Sequence, residues 1–422
     1  MASVVDIVYP TCCGIDVHKS FLVACIAKTD EHSKTTHFIR RFSTFSGDLR
    51  RLADWLASHN CKDVCMESTG KYWIPVFNTL EKSCNICLTH PKYVKAIKGK
   101  KTDKKDAKWI AELFKCDLVR SSFIPPESIR QLRDLCRYYI KLTYVNTSEK
   151  NRGQNCLTMC NFKLDDVFSD VFGKSATRVL DKLLEHRNSN FDIAPLLHPS
   201  CKATVDEVKA ALDGELTLAQ AEKLKFIRQH MKSLDNLKTA LEKLILQLAE
   251  KYQPQIDLLL TVPGIISPLT AVRILAEIGA DMSVFETSKQ LCSWAGLTPQ
   301  NNESANKKKT TRIARAGAYL KPLLVQIALA VCNSTKHPEL KNKYSAIQKR
   351  RGHKKTIIAI ARKLLTAIWH MLSKNEPYNA ELYNKADKPP VNRMLTPEQA
   401  FALLRSKGFQ IIEQGPNQEP AA

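Results

Sequence analysis

Four acidic residues carry the chemistry that this 422-residue chain most plainly offers. Asp16 sits in GIDVHKS, Glu67 in CMESTG, and Asp103 and Asp106 in KKTDKKDAKWIAELF. Carboxylates are hard oxygen ligands of the kind Mg²⁺ prefers. Several are needed to hold two dications, and such a pair, about 3.5–4 Å apart, can activate an attacking oxygen and stabilise a leaving one at a phosphodiester. The surrounding lysines suit that substrate: Lys98, Lys100, Lys101, Lys104, Lys105 and Lys108 could hold its phosphates. Each acidic residue also has an ordinary use. Asp103 and Asp106 could favour a helix N-terminus among solvated lysines, Glu67 could cap the STGKYW turn, and Asp16 could close a hairpin. Their order singles them out: a strand-end Asp, a strand-end Glu, then Asp-x-x-Asp on a helix.

The elements expected around these residues would position them. Residues 4–28 read as strand-like segments around a turn (VVDIVY, CCGIDVH and SFLVACIAK), and His37–Phe42 as a third strand. Thr44–Asn60 carries Leu49, Leu52, Trp55 and Leu56 on one helical stripe. Asp63–Met66 and Asn85–Thr89 are short buried-type strands, with a helix over Tyr72–Lys82 between them. Strands alternating with helices predict an α/β sheet, whose strand ends are where ligands collect. Thr102 suits the cap of the next helix, and three-residue spacing puts Asp103 and Asp106 on one of its faces. An α/β domain over residues 1–125 would end at the Pro125–Pro126 break.

A helical middle region is expected over residues 126–254. Leu132, Leu135, Tyr139 and Leu142 recur at helical spacing, as do Leu234, Leu237, Leu241, Leu244, Ile245 and Leu248. The two stretches suggest a helical hairpin or coiled-coil arm, and a plain bundle fits equally. Residues 164–215 give no clear pattern. A mostly α third domain, residues 255–375, opens with two apolar helices around Pro263–Gly264. A helix-hairpin-helix there would aim backbone N–H groups near Gly264 at a phosphate; a simple helical pair fits as well. The tail, residues 376–422, is rich in Pro, Asn and Gln and is expected to be loose.

Lys and Arg number 64 against 42 Asp and Glu, a net charge of +22, which favours a polyanionic partner. Nucleic acid leads over an anionic membrane, because no lipidation motif or basic amphipathic anchor stands out. No run of roughly 18 apolar residues predicts a membrane span, and the N-terminus lacks a secretory pattern. A soluble, intracellular protein is expected. The basic run Gln348–Lys355 suits a phosphate backbone or simply a solvated surface. Of the 14 cysteines, Cys84 and Cys87 form a lone CxxC with Cys61 and Cys65 upstream. A zinc site needs four ligands at compatible spacing; the apolar, strand-like text around these favours buried, reduced thiols.

GIDVHKSFLVACI, MESTGKYW and KTDKKDAKWIAELF, in that order, resemble the RuvC-like domain of the DEDD transposases of the IS110 insertion-sequence family. The segment FETSKQLCSWAGLTPQNNESANKKKTTRIARAGAYLKPLLVQIAL, following the Pro-Gly hairpin, is similar to the C-terminal transposase domain of the same family. The resemblance implies a ribonuclease-H-like N-terminal fold in which Asp16, Glu67, Asp103 and Asp106 bind Mg²⁺, as two ions. It also implies that Ser304 is a loop nucleophile. Lys307, Lys308, Lys309, Arg312 and Arg315 flank that serine and could neutralise phosphates. Ile266 and Ala305 stand where the family commonly has Gly. A serine hydroxyl is a poor nucleophile unless activated, so the carboxylate-bound ions would have to assist it.

Three functions therefore fit the sequence. A transposase or DNA recombinase would cut and rejoin donor and target DNA through a serine–phosphate intermediate. The family resemblance adds a structured guide RNA. Cutting and joining several strands would need a homodimer or homotetramer, with the helical middle as its natural contact, and a cytoplasmic, nucleoid-associated setting in a prokaryote is expected. A RuvC-like structure-selective nuclease would use metal-bound water and leave Ser304 idle. A non-catalytic nucleic-acid-binding protein would need only the charge.

Overall fold

The computed structural model describes residues 6–68, 70–92, 94, 102–299, 302–304, 307–310, 312–384, 397–406 and 408. The chain divides into two compact units, Met1–Arg130 and Gln131–Ala422.

In the first unit the elements run β1 (Thr11–Val17), β2 (Phe21–Thr29), β3 (Thr35–Ser43), α1 (Ser46–Ser58), β4 (Asp63–Glu67), α2 (Trp73–Leu80), β5 (Asn85–Thr89) and α3 (Asp103–Lys115). The strands form one mixed sheet in the order β3-β2-β1-β4-β5. β1, β2 and β3 are an antiparallel meander, and β4 and β5 add in parallel beyond β1. Side-chain alternation splits the core in two. Cys13, Ile15, Val17, Val64 and Met66 face α1 and α2. Cys12, Cys65 and Val23 face α3 with Ala107, Ile110, Ala111 and Phe114. The strand expected over residues 4–9 is absent from the described part, residues 6–9; residues 4 and 5 lie outside it. Val8 and Tyr9 instead donate their N–H groups to the Lys115 carbonyl at 2.9 and 3.0 Å, and Tyr9 stacks on Phe114. Both sides of β1 are already taken by β2 and β4, and the end of α3 holds residues 8 and 9 instead.

α4 (Glu127–Thr158) opens the helical remainder. Then come α5 (Leu164–Val167), α6 (Lys174–His186), α7 (Val205–Ala211), α8 (Leu218–Ala249), α9 (Gln253–Leu260), α10 (Pro268–Ile278) and α11 (Ser288–Trp294). A small hairpin, β6 (Asn302–Ser304) and β7 (Lys307–Thr310), precedes α12 (Leu320–Asn333), α13 (Pro338–Arg351), α14 (His353–Lys374), α15 (Glu381–Asn384) and α16 (Pro397–Ser406). α4 and α8 pair antiparallel: Tyr139 meets Lys238, Asn146 meets Asp235, Glu149 meets His230 and Cys156 meets Gln220. Residues 164–215, mixed in pattern as a sequence, pack at the far end of that pair around Phe162, Leu180, Leu183, Val208 and Leu212. Arg137 forks onto the buried Glu277 of α10 at 2.8 Å for both bonds, and Arg133 donates to the Ala276 and Glu277 carbonyls, capping the end of α10. α14 is apolar and long, and packs against α11, α12 and α13 as a core helix does.

Candidate functional site

Asp16 and Glu67 sit at the ends of adjacent parallel strands, each one residue beyond the Ile15–Met66 pairing. Period-two alternation sends both side chains to the face that α3 covers. α3 begins at the same place. Thr102 caps it by accepting from the Lys105 N–H, which leaves Asp103 and Asp106 in the first turn. The approach of α3 to β1 is set by small residues. A Cβ built on Gly14 would lie 2.3 Å from the Ala111 nitrogen and 2.4 Å from the Ala107 oxygen. Backbone against backbone there brings the Asp-x-x-Asp turn over Asp16. Gly14→Ala should therefore push α3 off the sheet. Overpacking of this kind costs about 1–3 kcal/mol, and the variant should also lose its carboxylate geometry. Urea unfolding checks the first effect; a change under ~0.5 kcal/mol would contradict the tight approach.

The electrostatics of the four carboxylates follow from this convergence. Burial pushes the Asp16 carboxyl above its usual value. His18 pulls it down, and Asp106, Glu67 and Asp103 push it up again, for a net rise. Asp16 is 8 % exposed, Glu67 and Asp106 are half-buried and Asp103 is exposed. Repelling oxygens at the rim of a sheet suit a divalent cation, which would convert mutual repulsion into ligation.

His18 was not among the residues the sequence singled out. It lies in the turn between β1 and β2, where its N–H donates to the Phe21 carbonyl at 2.9 Å. Its Nε2 lies 3.2 Å from an Asp16 oxygen and 3.5 Å from an Asp103 oxygen. Asp16, His18 and Asp103 form the one group of potential ligands close enough to share an ion among the described residues. The signal was available: His18 is two residues past Asp16, the strand period.

The remaining candidates fall elsewhere. Lys100 and Lys101, like Lys98, lie outside the described residues. Lys104, Lys105 and Lys108 are exposed on α3. Ser304 belongs to the second unit. It ends β6, a strand where a loop was expected, and its backbone pairs with Lys307; Glu303 pairs with Lys308, and Lys309 continues β7. Arg312 and Arg315 follow, both exposed. Gly264 occupies a Pro-Gly turn between α9 and α10, closed by the Ile265 N–H on the Val262 carbonyl. Its φ of +83° is the value such a turn reserves for glycine. A Cβ there would strike Val331 at 2.6 Å, so this turn packs on α12, while Ile266 beside it is 91 % exposed. The cysteines are thiols, and burial pushes Cys12, Cys61 and Cys136 up to about 12. Among the described residues no cysteine belongs to a group close enough to hold a metal.

Comparison with known proteins matches two parts of the chain. Residues 13–162 match a family model described as a transposase. Residues 256–345 match a second, the transposase IS116/IS110/IS902 family. The transposase for insertion sequence element IS1111A of Coxiella burnetii is 32 % identical over 121 residues, 28 % of this chain and 33 % of that protein. The pilin gene-inverting protein of Moraxella bovis is 30 % identical over 129 residues, 30 % of this chain and 39 % of that protein. The chain thus covers between a third and two fifths of the length of these relatives. A solved structure of a fowlpox virus resolvase with Holliday junction DNA aligns over 25 % of this chain and 72 % of its own, at 17 % identity and a TM-score of 0.18.

Proposed function

We propose that this chain, which belongs to the IS116/IS110/IS902 transposase family by the two segments it shares with that family, cuts and rejoins DNA at the carboxylate site with Ser304 as nucleophile. The observation that carries the reading is that Asp16 and Glu67 end adjacent strands beside the first turn of α3, which bears Asp103 and Asp106, with Asp16 and Asp103 close enough to share an ion with His18. An antiparallel meander extended by two parallel strands, with helices on both faces, supports treating the first unit as RuvC-like. Mg²⁺, as two ions, would neutralise phosphate charge and assist deprotonation of the attacking oxygen.

The protein's own residues set the rest. Asp16 and Glu67 offer oxygens from rigid strand ends, and Asp103 and Asp106 from a capped helix start. Lys104, Lys105 and Lys108 neutralise nearby phosphates. Ser304 exchanges one phosphate ester for another, which keeps the bond available for rejoining. Arg312, Arg315 and the basic run Lys349–Lys355 contact nucleic acid backbone, including a structured guide RNA, and homo-oligomers bring together the strands to be joined. The test is recombination by the purified chain with Mg²⁺, element-flanking RNA and candidate donor and target DNA. Joined products that vanish with EDTA are expected. DNA retention without cleavage under any of these conditions would leave only a nucleic-acid binder.

A further inference from the structure

We propose that His18 is itself a ligand of the cation at the carboxylate site, giving one metal position a mixed nitrogen–oxygen sphere that favours Mn²⁺ over Mg²⁺. The inference rests on the carboxylate reading above and adds to it the identity of a donor and an ion preference.

Its ground is the His18 Nε2 atom. That atom is shielded from solvent, although the ring as a whole is 40 % exposed, and it has no hydrogen-bond partner among the described residues. It nevertheless lies 3.2 Å from Asp16 Oδ2 and 3.5 Å from Asp103 Oδ1. A histidine serving only as an ion-pair partner would align an N–H with one of those oxygens. A buried N–H left unaligned would instead go unsatisfied, at a cost to folding. A lone pair on Nε2 avoids that cost if a cation sits between the three groups. The spacing agrees: ligands on neighbouring corners around an ion with bonds of about 2.1 Å lie about 3 Å apart.

The ring is held for this role. The turn closed by the His18 N–H on Phe21 fixes its backbone. Its ring lies 4.6 Å from the Phe21 ring, and the Arg41 guanidinium covers Phe21 at 3.7 Å. Locking a ligating imidazole through its neighbours is how outer residues tune a metal site. The chemistry then sets the preference. Mg²⁺ takes oxygen almost exclusively, whereas imidazole suits the first-row transition ions and Mn²⁺ accepts both donor types.

The test is pulsed EPR on the full-length chain loaded with Mn²⁺ in the absence of nucleic acid, with Mn²⁺ and Mg²⁺ affinities measured alongside. Wild type should show ¹⁴N modulation from a directly bound imidazole. His18→Ala should lose it, with Mn²⁺ affinity falling about tenfold, near 1.4 kcal/mol, and Mg²⁺ affinity falling less. His18→Asn, closer in shape, serves as the second variant and should lose the modulation too. Persistence of the modulation in both variants, or its absence from Mn²⁺-loaded wild type, overturns the assignment while sparing the carboxylates. Failure of wild type to bind Mn²⁺, or equal affinity in Asp16→Asn, overturns the carboxylate reading and His18 with it.

Discussion

Asp16→Asn should abolish strand cleavage and, in the same molecule, raise the melting temperature of the metal-free protein. The two effects share a cause. Burial, the largest cause, lifts the Asp16 carboxyl above the ordinary value of 3.8; His18 pulls it down, Asp106, Glu67 and Asp103 push it up, and the net direction is upward. Folding thus disfavours the ionised form. As pH climbs from the ordinary carboxylate range through the raised value, metal-free wild type loses stability, because the folded state holds a proton that the unfolded chain has already released. Asn keeps the shape without the charge and removes that loss. It also removes an oxygen ligand that a divalent ion requires. If the ion supplies about 4 kcal/mol of transition-state stabilisation, cleavage falls about 10³-fold. Thermal melts in EDTA and in Mg²⁺, beside a cleavage assay, check both halves. Wild type should gain stability from Mg²⁺ and the variant should not. A variant that cleaves at the wild-type rate, or that melts lower without metal, defeats the prediction. Such opposition between stability and activity is expected where a site stores repulsion for a ligand to relieve.

The parts of this site that could be read from sequence are those governed by local period. Asp16 and Glu67 follow short apolar runs whose length and composition mark buried strands, so strand-end placement was accessible. Asp103 and Asp106 follow from spacing behind Thr102. Gly14 was harder. Its role is a backbone contact with Ala107 and Ala111, nearly a hundred residues away, and no local pattern announces a partner at that range. Beyond its two-residue spacing from Asp16, His18 is a single histidine in a turn, a position that usually faces water. Only the register that brings Asp103 near it gives it a second acidic neighbour.

Longer-range packing explains the other differences. VVDIVY has the alternation of a strand, yet β1 is flanked on both edges. Residues 164–215 fold as short helices whose apolar faces meet one another and the ends of α4 and α8, so no single window shows a complete stripe. The β6–β7 hairpin is made of NES and KKKT, polar on both faces, and has none of the alternation from which strands are recognised.

That hairpin frames the second large effect. Ser304→Ala should eliminate both the covalent protein–DNA adduct and the joined product, while leaving the fold and DNA binding intact. Ser304 ends β6 through a backbone pairing with Lys307, and alanine preserves that pairing. What disappears is the hydroxyl, without which no phosphoserine ester can form. Removing a covalent nucleophile costs at least about 10³-fold in turnover. Denaturing gels with labelled DNA report the adduct, and sequencing of the products reports joining. The contrast with Asp16→Asn separates two chemistries. Were Ser304 only a polar residue in a basic hairpin, metal-bound water would attack, and the alanine variant would cut as fast as wild type with no adduct in either. If instead both variants stop at intact, bound DNA, the serine and the carboxylates act in one step. The energy of the broken phosphodiester must then be carried by the protein until a second strand arrives. A site that only hydrolyses has no means of doing that, so retention of joining in Ser304→Ala would remove the serine from the mechanism.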